Sequence, residues 1–278
     1  IEIKSFPAEI ARLALLIAEF QCNVRFIGQR EACLDVLPLH DTGRIKTGNA
    51  LREDWLEVCP PPKLTNAIDE DLGGPTGRLA FDSAAEPDAE TYICGNPPYV
   101  WSNQQSKNQK IDLEMIFKGK TKSWKSLDYV SGWVMKAVLY GENAKSSSAF
   151  VSTNSICQGQ QVAMLWPPVF EMGSRIQFAH TGFKWSNLAA KNAGVTVIVV
   201  GLSRHSKGPK KLYSRDEAGV EVQTQTNHIN AYLTPGADVI IAKESNSISL
   251  LAEMRFGNKA VDGGNLILSQ EELDDLLL

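Results

Sequence analysis

Asn96-Pro97-Pro98-Tyr99 brings together residue types that can do chemistry in a fixed geometry. Two consecutive prolines end the apolar run before them, fix two φ angles and remove two backbone donors. An amide side chain and its neighbouring carbonyls are thereby held beside an aromatic ring. The run Thr91–Cys94 reads as a strand, so the tetrapeptide stands at the mouth of a sheet. With Pro at about 5% of average composition, a chance match is on the order of one in a thousand. A strand-ending turn with a packed tyrosine would use the same residues, so the rest of the chain must decide. Metal chemistry has little support, because the four histidines form no H-E-x-x-H or Cys/His cluster. The five cysteines (Cys22, Cys33, Cys59, Cys94, Cys157) are odd in number and lack C-x-x-C spacing. They fit a reduced cytoplasmic compartment better than a disulfide framework.

The elements that must position this loop follow an α/β pattern. Ile1-Glu2-Ile3 reads as a strand end, and Ser5 as an N-cap before a helix carrying Ile10, Leu13, Ile17 and Phe20 at helical spacing. "RIKTGNALREDW" offers a short strand and a turn near Gly48-Asn49, and residues 60–90 read as a loop or insertion. Residues 126–141 read as a helix capped by Ser126, and 148–155 as a strand. Residues 161–173 read as a helix interrupted at its prolines. Strands at 175–180 and 195–202 follow, joined by the loop "TGFKWSNLAAKNAG" and too close for a crossover helix, hence antiparallel neighbours. "RHSKGPKKLYSRDEAG" reads as a loop. Apolar runs alternating with helices argue for a mostly parallel sheet buried on both faces. The chain has 278 residues and a net charge of −4, so any nucleic-acid surface must be local. No apolar run nears the roughly 18 residues that span a bilayer. Arg204, Lys207, Lys210 and Lys211 could touch phosphates, but read first as a solvated hairpin tip.

Ligands of open α/β sheets sit at the carboxyl ends of the strands, and those ends carry Glu2, Asn49, Asn96–Tyr99 and residues 153–155. This arrangement resembles the class I S-adenosylmethionine-dependent methyltransferases, specifically the N6-adenine DNA methyltransferases with Asn-Pro-Pro-Tyr. The branch found in large single-chain restriction-modification proteins is the most similar. Its likeness is carried in order by "GNPPYVWSNQQSKNQK", "FVSTNSICQGQQVAMLWPPVFE", "FKWSNLAAKNAGVTVIVVGL" and "VDGGNLILS". The resemblance implies a Rossmann-like sheet, mostly parallel with an antiparallel strand near the C-terminal end, and S-adenosylmethionine as methyl donor. It implies double-stranded DNA as substrate, with nuclease and target-recognition modules in the same full-length chain. The Asn96 side-chain oxygen and the Pro97 carbonyl would accept from the target amine, freeing its lone pair, with Pro98 stiffening the loop. Tyr99 would stack on an adenine flipped out of the duplex, and Phe183, with Trp185 as competitor, would cover its other face. Glu2 and Ile3 would face the donor's ribose, and Asn49 and Ala50 its adenine. Related enzymes often carry Asp where this chain has Asn49.

The family's Gly-rich donor loop has no counterpart here. "DLGGPTG" (71–77) and "VDGGN" (261–265) do not lie between a strand and a helix. Because the chain opens on Ile1 inside a strand, it is read as a piece of a longer protein lacking the first strand of the fold. Residues 1–205 are expected to form the partial catalytic domain, and 206–278 a connection toward target recognition. Other members of the fold use Asn-Pro-Pro-Tyr for glutamine-N5 methylation of protein or guanine-N2 methylation of RNA. A non-catalytic DNA-binding remnant is a third reading.

Overall fold

A computed structural model of the chain describes residues 1–34, 45–61, 91–185, 195–205, 207–216, 218–242 and 268–277. Helices α1 (Ser5–Ile27) and α2 (Gln29–Leu34) pack together, and the short α3 (Trp55–Val58) is capped by Asp54, which accepts from Leu56 N–H at 2.8 Å. Strand β1 (Thr91–Gly95) is followed by α4 (Lys107–Phe117), α5 (Ser131–Tyr140) and β2 (Ser146–Thr153). After α6 (Gly159–Glu171) come β3 (Arg175–Lys184), β4 (Thr196–Ser203), β5 (Lys210–Arg215) and β6 (Glu221–Thr226). Residues 242–278 form a separate compact unit, of which α7 (Gln270–Leu276) is described; a reciprocal capping box between Ser269 and Glu272 starts it.

The six strands form one sheet in the order β1-β2-β4-β3-β5-β6. β1 and β2 are parallel, as are β3 and β5, and β4 lies antiparallel between β2 and β3. With β6 antiparallel to β5, four strands run one way and two the other. This is the Rossmann-like α/β sheet expected from the sequence, with two strands, β4 and β6, running against the rest where one was expected. β-branched residues Val197, Ile198, Val199 and Val200 suit β4 for its central place. Gly201 lets the Phe178 ring lie against the same strand; a Cβ there would meet that ring at 2.1 Å. The core lies among α4, α5, α6 and the sheet, around Phe117, Leu127, Met135, Leu165 and Trp166, all fully buried. Burying each such side chain contributes about 1.5–3 kcal/mol.

Several local expectations are corrected. Lys4, not Ser5, is the N-cap of α1, and the Glu2 carboxylate accepts the nearby Ile3 and Lys4 N–H groups at 2.9 and 3.4 Å. The strand read before Gly48 is a single parallel bridge, Glu2 to Thr47. Ser126 closes a 3₁₀ turn (Trp124–Ser126), and the following helix begins only at Ser131. Pro167 and Pro168 do not interrupt α6, which runs through them. Each proline removes a helical hydrogen bond, at about 3 kcal/mol in a helix interior. Here both sit near the C-terminal end, and the buried Val162, Leu165, Trp166 and Val169 keep the helix on the core. Strand β3 continues to Lys184, so Phe183 lies on a strand where a loop was expected. The lysine-rich segment read as a loop contains β5, whose buried Leu212 pairs with Ala179 of β3. Residues 62–90 and 186–194, both read as loops, lie outside the described residues, apart from their flanks.

Candidate active site

β1 ends at Gly95, opposite Phe150 of β2, and delivers Asn96 to the carboxyl end of the sheet. Asn96, Pro97 and Pro98 line a cavity of about 1190 Å³. The Tyr99 hydroxyl donates to Asn96 Oδ1, and its ring packs partly buried against the core. Burial pushes the Tyr99 pKa up, so the hydroxyl stays a donor. The Pro97 carbonyl has no hydrogen-bond partner among the described residues. The loop is gripped just beyond Tyr99, where the Val100 carbonyl accepts from Tyr129 N–H at 3.1 Å and from Gln105 Nε2 at 2.8 Å.

Glu2, Ile3, Asn49 and Ala50 line the same cavity. Glu2 is held there by its bridge, with Glu2 N–H donating to the Lys46 carbonyl and Gly48 N–H to the Glu2 carbonyl, both at 2.9 Å. Glu2 Oε1 serves the start of α1, and Oε2 has no partner among the described residues. The Asn49 side chain is committed to the protein: Oδ1 accepts from Leu51 N–H at 3.0 Å, and Nδ2 donates to Asp112 at 2.9 Å. The Ala50 N–H has no acceptor among the described residues.

A polar cluster on this wall was not foreseen from the sequence. Asp112 of α4, 1% exposed, accepts from Asn49 Nδ2, from the Tyr129 hydroxyl at 2.7 Å and from Arg52 Nε at 2.6 Å. Three charge-assisted contacts satisfy a carboxylate that would otherwise be costly to bury. Burial, then the bond to Asp112, pushes the Tyr129 pKa up to about 12, and the same carboxylate raises that of Arg52. The signal was present: Asp112 shares the buried stripe of α4 with Leu113, Ile116 and Phe117. An acid on an apolar stripe needs a partner.

The two candidate base-covering aromatics lie elsewhere. Phe183 lines a separate cavity of about 300 Å³ with His180, Val199, Tyr213 and Arg215, where the His180 and Tyr213 rings stack 4.3 Å apart. Trp185 donates its N–H to the Val195 carbonyl at 3.0 Å, extending the β3–β4 pairing. The structure does not bring either ring into the cavity lined by Asn96. It does put Phe183 at the same end of the sheet, because Thr153 of β2 pairs with Val197 and Val197 with Phe183. Of the basic loop, Lys210 and Lys211 belong to β5, and Arg204 lies 3.7 Å from Glu142. Among the described residues no three His, Cys, Asp or Glu side chains converge to hold a metal, and no helix is long and apolar enough to cross a membrane.

Residues 1–214 match the family model of the MmeI DNA-methyltransferase domain, more than half of the chain. The chain belongs to this family. Residues 235–278 match the model of the MmeI target recognition domain. DNA methyltransferase A of Bacillus subtilis (strain 168) is 36% identical over all 278 residues, which span 28% of that relative. The type IIL restriction-modification enzyme MmeI, solved in complex with DNA, superimposes with a TM-score of 0.79 at 34% identity. That match covers 99% of this chain and 34% of the MmeI chain. The chain spans about a third or less of the length of these relatives.

Proposed function

We infer that this chain forms the catalytic portion of an N6-adenine DNA methyltransferase of a restriction-modification protein. The observation that carries the reading is the shared cavity. Asn96, Pro97 and Pro98 line it together with Glu2, Ile3, Asn49 and Ala50, residues from three distant parts of the sequence expected to serve one reaction. S-adenosylmethionine, when bound, supplies an electrophilic methyl group. The cavity offers matching groups: a free Glu2 Oε2 for sugar hydroxyls and the unpaired Ala50 N–H for a ring nitrogen. Asn49 fits by its backbone, since Asp112 and Leu51 hold its side chain.

The chain's own part is to prepare the amine. The Asn96 side-chain oxygen and the unpaired Pro97 carbonyl accept its two N–H groups and pull the nitrogen toward a tetrahedral shape. Two prolines hold these acceptors in place before the base arrives. Asn96 Oδ1 has two lone pairs, so the Tyr99 hydroxyl leaves one for the amine. Tyr99 meets one face of the flipped base. Phe183 is the nearer fit for the other face, being on the rim strand that pairs with Val197.

The test is methyl transfer from labelled S-adenosylmethionine by the full-length protein. DNA should carry the label as N6-methyladenine, and Asn96→Ala should lower turnover by about 10²-fold, as for loss of one preorganised donor or acceptor. Label in protein or RNA instead of DNA, or near-normal turnover of Asn96→Ala, would overturn the reading.

A further inference from the structure

Asp128 is fully buried, and three segments of the site meet on it. Its Oδ1 accepts the Val100 N–H at 3.2 Å and the Val130 N–H at 3.4 Å, and its Oδ2 accepts the Ser155 hydroxyl at 3.1 Å. Its own N–H donates to Gln161 of α6 at 3.0 Å. Val100 directly follows Tyr99, and Ser155 sits in the 3₁₀ turn directly after β2. Ser155 is 2.7 Å from the Thr153 hydroxyl. Because the single Ser155 proton goes to Asp128, Thr153 must be the donor to Ser155. Thr153 in turn is in register with Val197, and Val197 with Phe183. One connected path therefore runs from the Asn96–Tyr99 loop to the strand row that carries Phe183.

We propose that Asp128 is a positioning residue for methyl transfer, setting the spacing between the Asn96–Tyr99 loop and the β2–β4–β3 rim. The inference rests on the function proposed above. A packing role alone would not call for a carboxylate here, since an apolar side chain of similar volume is the cheaper occupant of a dry core. An ionised carboxylate is acceptor-only, so Val100 N–H and Ser155 O–H are both compelled to point at it. Their separation is then fixed by the two oxygens of one planar group. Gln105 reinforces the same point, donating to the carbonyls of Val100 and Leu127 at 2.8 and 2.9 Å. Misplacing a reacting group by about 1 Å can cost on the order of 10² in rate, so a spacer between the two walls should act on turnover rather than on binding.

The experiment compares Asp128→Asn, Asp128→Ala, Ser155→Ala and Asn96→Ala in the full-length methyltransferase, with separate kcat and KM for DNA and for S-adenosylmethionine. Asparagine keeps Oδ1 for Val100 and turns an N–H toward Ser155, whose hydroxyl can then donate to Thr153. It should stay within about threefold of wild-type kcat. Asp128→Ala should lose about 10²-fold in kcat and Ser155→Ala about tenfold, with both KM values changed by less than about threefold. If Asp128→Ala does not fold, Ser155→Ala decides, since it cuts the tie to β2 and leaves the loop bonds of Asp128 in place. The proposal falls if Ser155→Ala keeps wild-type kcat, if Asp128→Asn is as impaired as Asp128→Ala, or if the losses lie in KM. An active Asn96→Ala would instead overturn the catalytic assignment of the loop.

Discussion

Helices α1 and α5 are both rich in apolar residues, yet they meet different surroundings. Seven of the ten residues of α5 are buried, against one, Ala8, of the 23 in α1. On α1, Phe6 is 75% exposed, Leu13 54% and Ile10 53%, whereas Val134 and Met135 of α5 are closed off from solvent. The two walls of the large cavity inherit this difference. The Asn96–Tyr99 loop is fastened to the segment leading into α5 through Asp128, Tyr129 and Gln105. Glu2 is fastened by one bridge to Thr47 and by its own carboxylate. A helix is thus defined by local spacing, but its contribution to the molecule is defined by what covers its stripe.

The contrast predicts unequal costs for similar truncations, measured by chemical denaturation of the 278-residue chain. Leu165, on α6, is 0% exposed and part of the core that also buries α5. Leu165→Ala should lower unfolding free energy by about 2–5 kcal/mol, the range for buried leucines that leave a cavity. A loss below 1 kcal/mol would mean that the core reorganises around the gap and that the two sides are less different than they look.

Asp112 joins the two sides, since it sits on α4 and receives Asn49 and Arg52 from the other wall. Asp112→Ala removes an acceptor from the half-buried Asn49 amide and the buried Tyr129 hydroxyl, which keep only their 3.4 Å contact with each other, and should cost about 1–3 kcal/mol. Arg52 is half exposed and regains water, so its loss of partner adds little. The measurement that checks it is the denaturation midpoint of Asp112→Ala beside Arg52→Ala, which should also fall, because it leaves the buried Asp112 carboxylate without its counter-charge.

A pH dependence belongs to the same cluster. The folded-state pKa of Tyr129 is pushed up to about 12, above the ordinary value of 10. The folded state therefore holds its proton more tightly than the unfolded chain. That stabilisation is fully present below pH 10 and is lost as the pH rises from 10 toward 12. From 10 to about 12 this amounts to roughly 2–3 kcal/mol, at about 1.4 kcal/mol for each tenfold change in proton affinity. Unfolding midpoints measured between pH 9 and 11.5 should fall more steeply for the wild-type chain than for Tyr129→Phe. Parallel curves would show that the hydroxyl titrates as it does in water.

What was legible in the sequence follows the same division between local and distant causes. The stiffness of Asn96-Pro97-Pro98-Tyr99 is written in adjacent residues, and so is the strand before it. Glu2 and Asn49 read as strand-end residues, the family resemblance adds Ile3 and Ala50 beside them, and all four line one cavity. The partners of Asp112 and Asp128 lie tens of residues away, such as Arg52 and Ser155; the apolar stripe of α4 marks Asp112 as needing a partner but does not say which. β5 was hidden because Lys210, Lys211 and Arg215 give it a solvated look around the single buried Leu212. Pro167 and Pro168 signal a break by propensity alone, but α6 runs through them with Trp166 buried and its Nε1 donating to the Ile156 carbonyl at 2.7 Å. Phe183 reads as a loop residue but lies on β3, since a register shift between His180 and Phe183 disturbs the alternation expected of a strand.

The smallest expected effect is the sharpest test of the comparison. Leu13 points its side chain to solvent from the middle of α1, so Leu13→Ala removes little buried area. Alanine is also the better helix former by a few tenths of a kcal/mol. The two contributions nearly cancel, and the change in unfolding free energy should stay within about 0.5 kcal/mol, the ordinary range for surface positions. Set beside Leu165→Ala, the same deletion of three carbons would then differ several-fold in cost purely through its surroundings. A loss of 2 kcal/mol or more at Leu13, a value typical of buried leucines, would show that the stripe of α1 is covered in solution, and concentration dependence of that loss would identify a second copy of the chain as the cover. Concentration independence would place the cover within the chain itself.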